Sequence, residues 1–234
     1  MNLPDISRLL AASAYPGRGI VLGRSADGGS AVLAYFIMGR SANSRNRVFV
    51  KTDDGIRTQA RDPSKMTDPS LILYHPVRKA GGRTIVTNGD QTDTIRDALA
   101  AGGCFRRALL GRSFEPDAPN YTPRISGLLE PDGSYSLSIL KSLDGDPSCC
   151  CRYFFDYDRP LPGEGRFLHT YAGDGTPLPS FSGEPERAAL TAPDAPALAE
   201  TMWNALDAEN KVSLFVRYVN LSTGETEDVL RNKY

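Results

Sequence analysis

Histidine is nearly missing from this 234-residue chain: His75 and His169 are the whole supply, too few to build a histidine-ligated metal centre. Cysteine is scarce and awkwardly placed. Of four, Cys149, Cys150 and Cys151 are consecutive, which suits neither zinc-ligand spacing nor a disulfide framework, so these and Cys104 read as reduced, partly buried strand residues. No cofactor or metal is expected. Charge of one sign is also lacking. The net charge of −1 provides no field for nucleic acid or an anionic membrane, and any anion site must be local. No apolar run is long enough to cross a bilayer, and MNLPDISRLL has neither the basic start nor the apolar centre of a signal peptide, so the expected location is the cytoplasm. There is no GxxxxGK[ST], and Gly17-x-Gly19-x-x-x-Gly23 has the wrong spacing and opens a strand instead of closing one, which excludes a P-loop and a dinucleotide fingerprint. GxSxG is absent too, and Met1-Asn2 offers no Ser, Thr or Cys to serve as an N-terminal nucleophile.

What is present describes an ordinary globular chain, with 40% hydrophobic and 24% charged residues, read as one domain over 1–234. A short helix is expected from Pro4 to Ala14, with Asp5 near its positive end. Strands are expected at Gly19–Gly23, Ala31–Met38, Arg47–Thr52, Leu71–Val77 and Arg83–Thr87, with turn signals at Asp27-Gly28, Asp54-Gly55 and Gly81-Gly82. Helical spacing follows over Thr92–Ala101 and Cys104–Leu110. A second block of strands runs through Arg124–Leu129, Tyr135–Leu140, Cys149–Tyr157 and Arg166–Tyr171. The Pro-rich stretch Thr176–Pro196 reads as a long surface connection. A helix over Ala195–Ala208 and a hairpin, Val212–Asn220 with Glu225–Leu230, close the chain. Two strand blocks, each followed by helix, suggest stacked sheets with helices on their outer faces.

Four stretches hold side chains suited to chemistry. GRSANSRNR (39–47) sets Arg40, Arg45 and Arg47 among Ser41, Asn43 and Asn46 with no acidic residue; it reads as a solvated hairpin loop or as a cradle for phosphate or carboxylate. LILYHPVRKAGG puts Tyr74 and Arg78 at a strand end, where a phenol can donate to a developing oxyanion. In VTNGDQTDTI, the acids Asp90 and Asp93 imitate a capping box, which accounts for them without a ligand but leaves Asn88, Gln91 and Thr92 as candidate contacts for sugar hydroxyls or an amide. SFEPDAPNYTPRI combines Glu115, Asn120 and Arg124 on a proline-stiffened loop; a glutamate near apolar walls can serve as general acid or base, although a surface ion pair is the commoner outcome.

PGRGIVLG, AYFIMGRSANSRNRVF, YHPVR, VTNGDQTDTI and NYTPRISG, in this order over about the first 130 residues, resemble the archaeal-type inosine monophosphate (IMP) cyclohydrolase family. The resemblance implies an α+β fold, a four-layer αββα sandwich like that of N-terminal-nucleophile hydrolases but without the terminal nucleophile. It also implies an enzyme that closes the last purine ring, converting 5-formamidoimidazole-4-carboxamide ribotide to IMP with loss of water, and leaves a homo-oligomer open. By motif, Arg47 looks like the family's active-site arginine, Tyr74 its tyrosine and Glu115 its glutamate. The arginine loop is longer here, so Arg45 and Arg47 are exchangeable at this stage, and Asp90-Gln91 stand where the family segment has Ser-His. Arg18, Arg40, Arg45, Ser41 and Asn43 would supply the phosphate donors, with Asn88, Thr92 and Asp93 meeting ribose or carboxamide. An amide hydrolase on the same scaffold and a non-catalytic purine-ribotide binder are the alternatives.

Overall fold

The computed structural model describes residues 3–66 and 73–234. Alternation along the strands determines how its two antiparallel sheets stack. In β2 (Ser30–Met38), Ala31, Leu33, Tyr35 and Ile37 join one buried cluster, whereas Val32, Ala34, Phe36 and Met38 join another. A strand apolar on both faces must be covered on both faces. β1 (Arg18–Arg24) splits likewise, with Ile20 and Leu22 to one side and Val21 to the other.

The first sheet has six strands in the order β11-β10-β1-β2-β12-β13, the added members being β10 (Glu164–His169), β11 (Glu186–Ala189), β12 (Lys211–Asn220) and β13 (Thr226–Asn232). The second has seven in sequential order: β3 (Arg47–Thr52), β4 (Gly55–Ala60), β5 (Val77–Ala80), β6 (Arg83–Thr87), β7 (Arg124–Leu129), β8 (Tyr135–Leu143) and β9 (Asp146–Tyr157). Between the sheets lie Ile20, Leu33, Tyr35, Phe49, Ile56, Val86, Ile125 and Leu137. The other face of the first sheet packs on α1 (Ile6–Ala12) and α5 (Ala195–Ala205) through Ile6, Leu10, Leu198 and Met202. Ile85, Leu128 and Leu140 of the second sheet pack on α3 (Gln91–Ala100) and α4 (Phe105–Leu110) through Ile95, Phe105 and Leu109.

Register gathers one set of strand ends. Arg18 pairs with Ile37 and Gly19 with His169 in the first sheet, while Arg47 pairs with Ala60, Thr87 with Ser126 and Arg124 with Leu140 in the second. The candidate residues at the start of β1, β3 and β7 are thereby delivered to one end of the molecule.

Several expectations need correction. The first helix begins at Ile6, not Pro4, because Asp5 caps it by accepting from the Ser7 backbone N–H. β4 was not expected as a strand: in GIRTQA Ile56 is the single large apolar inward residue, beside Thr58 and Ala60, with Arg57 and Gln59 outward, a weak β signal. Of the strand expected at Leu71–Val77, Leu71 and Ile72 lie outside the described residues, as do Met1 and Asn2, and Leu73 to His75 lie in no strand, pairing resuming at Val77. Thr176–Pro196 is not merely surface: it contains β11 and buries Leu178, Phe181, Ala188 and Leu190, whose apolar side chains fill gaps beside the first sheet. Cys104 is exposed at the start of α4, while Cys149 to Cys151 are half-buried in β9; all four are free.

At Gly55 the chain passes so close to β5 that an added Cβ would run into the Val77 carbonyl oxygen, a backbone atom that cannot swing aside. Gly55→Ala is expected to lower unfolding free energy by about 1–3 kcal/mol, read as a lower urea midpoint with unchanged slope.

Candidate active site

The loop after β2 is not a flexible cradle. Residues Ala42–Arg45 form the single-turn helix α2, closed by a reciprocal Ser41–Ser44 capping box, so the Ser41 hydroxyl is occupied locally. Arg40 is exposed and reaches across to Asp174 and the Gly175 carbonyl while its guanidinium lies over the Tyr15 ring. Arg45 donates to Gly39 O and Asn210 Oδ1, and Asn46 clamps the Asp62 backbone. Asn43 is half-buried, and its Oδ1 is buried without a partner.

Arg47 differs from the others. It shares the inward face of β3 with Phe49, is 1% exposed, and donates from Nε to Ser44 O (2.9 Å) and from Nη2 to Met38 O (3.3 Å). Both acceptors are neutral carbonyls. Among the described residues no carboxylate lies within ion-pair distance of it, and burial together with the neighbouring Arg18 holds its pKa below the ordinary guanidinium value. Arg18, on the inward face of β1, approaches Glu115 at 3.9 Å through Nη2 and keeps its Nε buried without a partner.

Tyr74 is buried, and its hydroxyl lies 2.9 Å from that of Tyr35, itself fully buried in β2. Thr58 of β4 fixes the Tyr74 backbone: Thr58 N–H donates to Tyr74 O, and Tyr74 N–H to Thr58 Oγ1. Burial pushes the Tyr74 phenol up, against the pull of Arg47 and Arg18. Glu115 is 2% exposed and held by its own loop, its N–H donating to Thr122 O while the Thr122 N–H and hydroxyl both bind Asp117. The Thr122 hydroxyl also meets the Tyr171 hydroxyl, which ties this loop to the segment after β10. Burial pushes the Glu115 carboxyl up, against the opposing charges of Arg18, Arg124 and Arg47.

Arg47, Tyr74 and Glu115 therefore share one electrostatic neighbourhood with Arg18, each sensing the others' charge. Arg45 is not part of it; it lines an outer hollow with Arg61, Asp62, Lys65 and Tyr234. That separates the two arginines the sequence left exchangeable. A cavity of about 300 Å³ adjoins Tyr74, lined also by Thr58, Met66, Leu73 and His75 but by neither Arg47 nor Glu115. The three share a buried cluster, not the wall of that cavity.

The remaining candidates are committed to structure. Asn88 is fully buried; its Nδ2 donates to Pro123 O and its Oδ1 accepts from Gln91 Nε2 and the Ile125 N–H, which fastens α3 to the start of β7. Thr92, equally buried, hydrogen-bonds Thr87 and Gly89 O. Asp90 stands at the N-cap of α3 but makes no side-chain cap bond, contrary to the capping-box expectation, because Arg112 and Arg124 draw its carboxylate away. Asp93 pairs with Arg78 and Arg96, and Arg78 with Asp54 as well. Arg124 faces the helix side of β7, its Nη1 at 2.8 Å from both Gln91 Oε1 and Asp90 Oδ1. An added Cβ at Gly89 would displace the Arg124 guanidinium and the Gln91 amide oxygen. Asn120 accepts from the Leu178 N–H.

Sequence reasoning missed Tyr35, Thr122 and Tyr171. For Tyr35 a signal existed: a phenol within AVLAYFIM, otherwise apolar, needs a buried partner for its hydroxyl. Among the described residues no helix is long and apolar enough to cross a membrane.

A family described as IMP cyclohydrolase-like protein matches residues 15–225. A Halobacterium salinarum protein named IMP cyclohydrolase is 32% identical over 132 residues, 55% of this chain and 63% of the relative. One from Methanococcus maripaludis is 36% identical over 126 residues, 52% and 61% respectively. A Methanopyrus kandleri protein of the same name is 28% identical over 169 residues, covering 71% and 79%. The chain thus spans less than two thirds of the length of the first two relatives.

A carboxyl whose folded pKa is raised is stable in its protonated form, so its contribution to stability is fully present below the unfolded carboxylate range and is lost as pH rises through the folded value. Replacing Glu115 by Gln removes that loss. The urea midpoint of Glu115→Gln relative to the wild type is expected to rise as pH is raised through the folded Glu115 value and then level off; a difference independent of pH would exclude a raised carboxyl.

Proposed function

Since the chain belongs to the IMP cyclohydrolase-like family, we propose that it closes the pyrimidine ring of 5-formamidoimidazole-4-carboxamide ribotide to give IMP and water. The observation that carries this reading is the buried cluster of Arg18, Arg47, Tyr74 and Glu115, where two guanidiniums face one carboxylate. Such a cluster is short of negative charge and favours an anionic or anion-developing guest.

The reaction joins a carboxamide nitrogen to a formyl carbon of the same molecule. Holding the two groups face to face supplies much of the rate, and no nucleophilic side chain is needed. Negative charge grows on the formyl oxygen as the C–N bond forms. Arg47 and the Tyr74 hydroxyl stabilise it, while Glu115, with its raised pKa, takes the proton from the attacking nitrogen and returns one to the departing oxygen, which leaves as water. Arg18 holds Glu115 in place and, through its unpartnered Nε, offers a donor to the ribotide. In this reading Arg40 and Asn43, on the segment that follows β2, meet the phosphate end, while Ser41, Arg45, Asn46 and Asn120 hold the surrounding loops through their own local contacts. In the same reading Asn88, Asp90, Thr92, Asp93, Arg78 and Arg124 build the wall behind the cluster.

The order of the apolar clusters, helices, sheet, sheet, helices, supports reading the fold as a four-layer αββα sandwich of the kind found in N-terminal-nucleophile hydrolases, in one domain. Four free cysteines suit a reducing compartment, the cytoplasm.

Ring closure is followed by the absorbance change as the formylated ribotide becomes IMP. Glu115→Gln is expected to lower kcat by about 10²-fold or more while leaving nucleotide affinity within about threefold. Arg47→Ala is expected to lower kcat/KM far more than Arg45→Ala. A wild-type protein that binds the ribotide but leaves its absorbance unchanged overturns the reading.

A further inference from the structure

Tyr35 lies in a strand whose other inward residues, Ala31, Leu33 and Ile37, are aliphatic, and its ring stacks on Phe49 at 5.7 Å between centroids. Its hydroxyl makes one recorded contact, 2.9 Å to the hydroxyl of Tyr74. Two hydroxyls at that distance share one proton between them, and the direction of sharing decides what Tyr74 can do. If Tyr74 were the donor, the Tyr35 proton would be left in a fully buried, apolar place, and a buried donor without an acceptor is costly. With Tyr35 as donor, its proton is satisfied and the Tyr74 proton is released toward the cluster.

The charges around Tyr74 favour the same direction. It senses Arg47 from β3 and Arg18 from β1, both of which favour electron density on its oxygen, and Glu115 from the loop after α4, which opposes it; His75 is its chain neighbour. An oxygen near guanidiniums is a good acceptor, and its own proton is best directed to the Glu115 side of the cluster. Among the described residues Tyr35 takes part in no ion pair; it senses the charges of Arg18 and Arg47 as Tyr74 does, and its hydroxyl hydrogen-bonds that of Tyr74.

Resting on the cyclohydrolase reading above, we propose that Tyr35 is a positioning residue: by donating its hydroxyl to the Tyr74 oxygen, it fixes the Tyr74 rotor so that the Tyr74 proton points at the formyl oxygen of the substrate. No atom of Tyr35 meets the substrate. Its influence passes through one hydrogen bond, which strengthens the Tyr74 hydroxyl as a donor because an oxygen that accepts gives up its own proton more readily.

Tyr35→Phe tests this, because the ring that packs on Phe49 is retained. Expected are a fall in kcat of about tenfold with KM within about twofold, and a shift of the basic limb of the kcat–pH profile to higher pH, since a Tyr74 phenolate without its donor forms less readily. The second measurement does not depend on turnover. In protein labelled with ¹³Cζ-tyrosine, the Tyr74 resonance, identified by its loss in Tyr74→Phe, should titrate at higher pH in Tyr35→Phe than in the wild type. An unchanged Tyr74 titration overturns the proposal, as does a loss confined to KM. A wild-type protein without ring-closing activity would remove the functional reading, and the Tyr74 titration would still decide the direction of the hydrogen bond.

Discussion

Two guanidiniums beside a single carboxylate, that of Arg47 buried and that of Arg18 largely so, are the constraint on which the rest of the architecture depends. Taking a charge out of water costs several kcal/mol per ion even after relaxation, and among the described residues Arg47 is offset by two backbone carbonyls, Met38 O and Ser44 O. Those carbonyls belong to the end of β2 and to the one-turn helix that follows. The capping of that helix by Ser41 and Ser44 is therefore part of what keeps Arg47 in place. Arg18 is offset by Glu115 alone, and Glu115 is held by a loop whose turn is closed through Thr122 and Asp117. A fold that only required stability would fill this space with apolar side chains. Retaining an excess of positive charge there is a cost that function explains.

The loops around the cluster are immobilised for the same purpose. Asn88 ties α3 to the backbone on either side of Arg124, Asn120 holds the segment carrying Leu178, and Arg40 spans from the end of β2 to Asp174. Each joins parts of the chain distant in sequence, so the strand ends that bear Arg18 and Arg47 keep their spacing. The stretch VTNGDQTD illustrates how a polar motif can serve a site without entering it: its carboxylates neutralise Arg112, Arg124, Arg78 and Arg96, and its amides are spent on backbone groups.

Much of this was legible in the sequence because strand alternation is local. AVLAYFIM and RVFVKT announce β2 and β3, and the Asp-Gly and Gly-Gly pairs mark their turns. β4 was not legible because GIRTQA owes its pairing to its neighbours more than to its own residues. Arg47 was distinguishable from Arg45 only in three dimensions: Arg45 is the last residue of the one-turn helix, whereas Arg47 opens β3 and falls on its inward face with Phe49. Asp90 misled for an equally physical reason. An acid at a helix start caps the helix unless a stronger partner competes, and the competing arginines come from positions 112 and 124, beyond the reach of a local pattern.

The most direct measurement is a crystal structure of the protein with the unformylated carboxamide ribotide. The expected result is a ribotide whose phosphate lies against the Arg18 and α2 end of the molecule and whose carboxamide lies between Tyr74 and Glu115. A ribotide seated elsewhere, such as the acidic cleft lined by Asp194, Glu225 and Glu227, with Arg47, Tyr74 and Glu115 untouched, would contradict it.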